Sequence, residues 1–169
     1  MMSYQEKRSI VSIITGILIL GAYCFYAFGK YQSGVIAAND MKFWAGTMLL
    51  FIGIGIVAAI VIQIVFHILL SISIAVKEKI SNSESDDKEI EKTINAEMVT
   101  DERDKLIELK SSRFGFAVAG FGFIAALVSL ILNYSTSVMI NIMFISFSIG
   151  SLLEGFVQLY FYRNGVKNG

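Results

Sequence analysis

Four uninterrupted apolar runs decide what this chain can become: Ser9 to Phe28, Phe43 to Val76, Phe114 to Leu132, and Val138 to Tyr162. Each is long enough to cross about 30 Å of hydrocarbon as an α-helix rising 1.5 Å per residue. Inside lipid every backbone N–H and C=O must find a partner without water, and a helix supplies all of them within one segment. The expected fold is therefore all-α: a polytopic membrane protein built as a bundle of four transmembrane helices. Composition agrees, with 55% of residues hydrophobic and 17% charged, the latter against roughly 25% in ordinary soluble domains. No proline occurs among the 169 residues, so no span is broken or kinked by one. The second run would be about 51 Å long as one helix. It must tilt, protrude or begin in the interface.

The basic residues orient the spans, because Lys and Arg flanks are retained in the cytoplasm. Lys7 and Arg8 precede the first span, eight basic residues lie between Lys77 and Arg113, and Arg163 and Lys167 follow the fourth. The opposite side has only Lys30 and Lys42. Twelve against two predicts a multi-pass protein of the cell membrane, with both termini and the 77–113 segment cytoplasmic. The first run exceeds the usual 7 to 15 residues of a signal-peptide core and lacks a clean small-x-small site, so it reads as a retained helix. Cys24, the one cysteine, reads as a packing residue. Formal net charge is zero, which gives no bulk attraction to nucleic acid.

Between spans two and three, residues 77–113 hold eight basic and eleven acidic side chains. Residues Ser81 to Glu97 have almost nothing to bury and read as a flexible or weakly helical linker. Beyond them Thr100 is an expected N-cap, with Asp101 and Glu102 in a first turn where the helix dipole favours negative charge. Asp101 and Lys105 are spaced as an i,i+4 pair, and Leu106, Ile107 and Leu109 form an apolar stripe. A helical cytoplasmic extension should thus run straight into span three. The stretch Thr100 to Arg113 (TDERDKLIELKSSR) resembles the acidic-basic run before the third span of small, uncharacterised four-helix integral membrane proteins of Gram-positive bacteria. That resemblance implies fold and topology and carries no activity or catalytic residue. The acids Asp101, Glu102, Asp104 and Glu108 suit a hard cation in residue type. A turn glycine is missing, however, and Arg103 and Lys105 lie among them, so they read as a solvated helical turn able to dock a partner; no metal or cofactor is expected.

Polar residues within the spans are the other informative feature, since ionisable groups in hydrocarbon are costly and usually face the protein interior. His67 and Glu154 are the two deep ones. On span two Gly55, Ala59, Gln63, His67 and Ser71 recur every four residues, and on span four Ser146, Gly150, Glu154 and Gln158 do likewise. Each set lies on one helix face, small and polar, the composition that lets membrane helices approach and exchange hydrogen bonds. His67 lies ten residues before Lys77 and Glu154 nine before Arg163, which predicts equal depth, facing stripes, and an intramembrane site of His67, Glu154, Gln63 and Gln158. Such a pair can relay a proton, hold a cation or fix helix register. Gly115, Ala119, Gly122 and Ala126 on span three mark close approach within the bundle or at a dimer interface.

Two function classes follow. One is a small regulatory or interaction protein that presents the charged helix containing Asp101, Glu102, Arg103, Asp104 and Glu108 to a cytosolic or membrane partner. The other is a small transporter or channel subunit using His67 and Glu154, and four spans are few to enclose a pore, so a homo-oligomer is expected. An enzyme is not expected: no nucleophile with a nearby base, no metal-binding helix motif and no phosphate loop is present.

Overall fold

The computed structural model describes residues 3–35, 37, 40–81, 91–94 and 101–166. Four long helices dominate it: α1 (Tyr4–Gln32), α2 (Met41–Ser81), α3 (Glu102–Ile131) and α4 (Thr136–Asn164). All four are long and apolar enough to cross a membrane. Most of the linker expected at 81–97 lies outside the described residues, as does Thr100.

Each helix begins or ends for a local reason. Ser3 Oγ accepts from the Glu6 N–H at 3.2 Å, while the Glu6 carboxylate accepts from the Ser3 N–H at 2.7 Å. This capping box satisfies two donors that the first turn of α1 would otherwise leave unpaired. The cap of α3 is Asp101, one residue beyond the expected Thr100: its carboxylate accepts from the Asp104 N–H at 2.7 Å, and Asp104 returns a contact to the Asp101 N–H at 3.1 Å. Asp101 is thereby used in the cap rather than in the i,i+4 pair with Lys105. Between α3 and α4, Asn133 adopts a φ of 62°. Tyr134 donates to the Ser129 carbonyl and Asn133 to that of Leu130, both at 3.0 Å. That is a Schellman motif with asparagine in the left-handed position.

The helices pack in a row rather than evenly around a centre. α3 packs chiefly on α4, α4 also on α1, and α1 on α2, with a thinner contact between α2 and α4. Small residues make the tightest of these seams. Gly115, Ala119, Gly122 and Ala126 of α3 are buried, and a Cβ at Gly150 would stand 2.7 Å from the Gly115 carbonyl oxygen. A Cβ at Gly122 would run into the Ser146 side chain. On the opposite side of α4, Gly155 faces Ile13 and Leu152 faces Gly16 of α1. At the end away from the termini, Tyr23, Ala27, Trp44 and Met48 form a buried cluster with Cys24, Phe43, Phe51, Ile140 and Phe144 packed on it.

α2 is unlike its partners. No residue in its most apolar 18-residue window is buried; it meets α1 chiefly through Trp44, Met48 and Phe51 in the cluster around Tyr23, and further along through Gly55, which faces Ile19. Its register on α1 is set by rings: Tyr4 lies 5.9 Å from Phe66 and 6.2 Å from His67, centroid to centroid. Since α2 continues to Ser81, it overhangs the first turn of α1 by about 20 Å at 1.5 Å per residue. Along that overhang Leu69 is 62%, Ile72 55% and Val76 52% exposed. The long second apolar run therefore extends past the start of α1 at the end that bears the termini.

Candidate functional site

Polar residues from all four helices meet at the termini-bearing end. A cavity of about 190 Å³ opens there, lined by Gln5, Arg8, Ser9 and Ser12 of α1, Gln63 of α2, Asp104 and Glu108 of α3, and Gln158 and Tyr162 of α4. Each is placed by helical spacing. Gln5, Arg8, Ser9 and Ser12 fall three or four apart and share one face, as do Asp104 with Glu108 and Gln158 with Tyr162.

Hydrogen bonds stitch the cup together. The Arg8 guanidinium donates to Gln63 Oε1 at 3.2 Å, joining α1 to α2. Ser9 Oγ lies 3.0 Å from the Gln5 carbonyl and 3.2 Å from Gln158 Oε1, so its one proton serves either the α1 backbone or α4. The Tyr162 hydroxyl hydrogen-bonds the Asp104 carboxylate and joins α4 to α3. Arg8 carries positive charge and Asp104 and Glu108 negative charge into one cavity. Among the described residues no ion pair links Arg8 to either acid.

The residues expected to act as one intramembrane site separate into three places. Gln63 and Gln158 are brought together, in the cup. His67 is exposed, with its ring edge-on to Tyr4 at 6.2 Å. Glu154 is half-buried in the seam between α3 and α4, where a Cβ at Gly115 would approach its Oε2 to 3.1 Å. It lines a cavity of about 140 Å³ with Gly115, Phe116, Ala119, Phe147 and Ser151. No hydrogen bond or ion pair joins His67 to Glu154. Their levels also differ: His67 is abreast of Tyr4, whereas Gly155, the neighbour of Glu154, is abreast of Ile13. Nine residues of α1 separate those levels, about 13 Å along the helix. Equal depth rests on counting back from Lys77, and the α2 overhang removes that reference. The two stripes likewise face other helices: Gly55 and Gln63 meet α1, while Ser146 and Gly150 meet α3.

The charged residues before the third span also divide. Asp104 and Glu108 line the cup. Asp101 and Glu102 are exposed at the start of α3, and the Arg103 guanidinium reaches the Tyr162 carbonyl at 3.5 Å. Among the described residues no group of three His, Cys, Asp or Glu is placed to hold a metal ion.

Sequence reasoning missed Gln5, Arg8, Ser9, Ser12 and Tyr162, which look like ordinary flanks of a span. A usable signal was present, because Gln5, Ser9 and Ser12 repeat at helical spacing beside Arg8. It also missed the deepest polar pair at the other end. The Tyr23 hydroxyl, fully buried, donates to Asn141 Oδ1 at 2.6 Å, and Asn141 Nδ2 donates to the Ser137 carbonyl at 2.8 Å.

Compared with known protein families, curated proteins and solved structures, the chain has no match in any of the three.

Proposed function

We propose that this is a small multi-pass membrane protein of interaction or regulatory type, whose termini-bearing end faces the cytoplasm and presents the α2 overhang and the charged start of α3 to a partner protein. The observation that carries this reading is the overhang. It continues past the level at which α1 begins, yet Leu69, Ile72 and Val76 remain more than half exposed. Contiguous apolar surface outside hydrocarbon is costly and marks an interaction site. Asp101, Glu102 and Arg103 at the start of α3 are exposed and add charges of both signs at the same end. Twelve of fourteen basic residues at this end support its cytoplasmic placement. A second copy of the chain is one such partner, which keeps the expected homo-oligomer within the same reading.

A photocrosslinking amino acid placed at Leu69, Ile72 or Val76 in native membranes tests the proposal. A discrete protein adduct at these positions, with the Val76 adduct lost when Leu69→Glu and Ile72→Glu are added, supports it. Lipid adducts alone at all three positions refute it.

One observation favours a second reading, a proton or cation path in an oligomeric transporter or channel subunit. Ser12 and Gln63 line both the cup and a cleft between α1 and α2, and Ser151 lines both that cleft and the Glu154 cavity. Liposome flux that falls in Glu154→Gln supports this path, and flux equal to the parent removes it.

A further inference from the structure

The cup holds charges of both signs that are not paired with each other, and it continues into a cleft of mixed lining, apolar on its α2 side below Gln63. Ser12 and Gln63 line both spaces, and below them a cleft of about 180 Å³ runs between α1 and α2, with Val11, Ile19, Ile62, Gly55 and Ala59 as its apolar lining and Thr15 and Ser151 as its further polar residues. The cup lies where the apolar runs give way to charged residues. Arg8 directly precedes the first apolar run and Glu108 lies one helical turn and a half before the third. We propose that the cup binds the headgroup of a phospholipid bearing a primary ammonium, with one acyl chain laid in the α1–α2 cleft.

The chemistry selects that class. Two carboxylates and one guanidinium face the cavity, so a ligand that is only anionic meets more repulsion than attraction. A zwitterion satisfies both signs. Its phosphodiester accepts from the Arg8 guanidinium, a planar donor suited to paired phosphate oxygens, and from the Ser12 hydroxyl. Its ammonium donates to Glu108, which is exposed and has no bond to a described residue. Asp104, held by its own cap and by Tyr162, adds a second acceptor. A quaternary choline nitrogen has no N–H and cannot make these bonds. A chain-free headgroup would leave the cleft unused, which is why the proposal commits to a lipid.

Native mass spectrometry of the full-length, delipidated protein, supplied in turn with dioleoyl phosphatidylethanolamine, phosphatidylcholine and phosphatidylglycerol, tests this. The ethanolamine lipid should be retained about tenfold over both others, the effect of one charge-assisted hydrogen bond. Glu108→Gln should abolish that preference, Arg8→Gln should lower retention of all three, and Lys42→Gln, exposed at the opposite end of the molecule, should change nothing. Thermal melting of each variant separates lost binding from lost folding, and Arg8→Gln gives an independent reading should Glu108→Gln misfold. Ala59→Leu, which fills the cleft, should weaken retention of the lipid. Equal retention of the three lipids by the parent, preference for the glycerol lipid, or a preference that survives Glu108→Gln would overturn the proposal. So would tight calorimetric binding of soluble phosphoethanolamine with no lipid retained, because the site would then serve a small solute.

Discussion

The two hairpins of this protein are built from similarly apolar helices and are held together very differently. α3 and α4 meet along a seam of small residues, Gly115, Ala119, Gly122 and Ala126 against Ser146 and Gly150, and the backbones nearly touch. α1 and α2 meet instead through large side chains, a cluster of Tyr23, Ala27, Trp44 and Met48 at one end and the Tyr4 and Phe66 rings near the other, although α2 is the most apolar helix of the four. In water the most apolar helix would be the most buried. In lipid, hydrocarbon is as good a neighbour for isoleucine as another helix is, so association follows close approach and hydrogen bonds rather than hydropathy. The comparison therefore assigns the two hairpins different work. The second is a rigid frame, while the first contributes the overhang and half of the polar cup.

The largest expected effect tests the frame. Gly150→Val must displace the Gly115 carbonyl, 2.7 Å from the new Cβ, and is expected to destabilise the protein by about 3 kcal/mol in an unfolding titration; an effect below that of Tyr23→Phe would show that the seam is not the tight contact. Tyr23→Phe should cost about 1 kcal/mol, since it removes the 2.6 Å bond to Asn141 that ties α1 to α4. Val61→Ala, on the bare face of α2 at 51% exposure, should change stability by less than about 0.5 kcal/mol. A larger loss there would mean that α2 is packed as tightly as α3.

Those differences also explain what could be read from sequence. The four spans were legible because hydrocarbon demands long apolar runs whatever the packing. The α3 seam was legible because glycine and alanine at successive turns have one common use in a membrane. The pairing of His67 with Glu154 was not legible correctly, since an apolar run of 34 residues contains no mark of which part lies in the bilayer. Its true register is set by Tyr4 stacking near Phe66 and by Arg8 reaching Gln63, contacts that spacing alone does not reveal. The cup was half legible. Gln63, Gln158, Asp104 and Glu108 stood out by position, whereas Arg8 and Ser9 resembled an ordinary basic flank until the helices were placed side by side.

α2 overhangs α1, so that His67 lies abreast of the first turn of α1 while Glu154 lies inside the frame. Labelling by a membrane-impermeant maleimide measures this directly, with Tyr4→Cys, His67→Cys and Glu154→Cys each in a Cys24→Ala background. His67→Cys should react from the termini-bearing side at a rate close to that of Tyr4→Cys, and Glu154→Cys should react only after denaturation. If His67→Cys is as protected as Glu154→Cys, the two lie at one depth and the overhang, with the function drawn from it, is wrong.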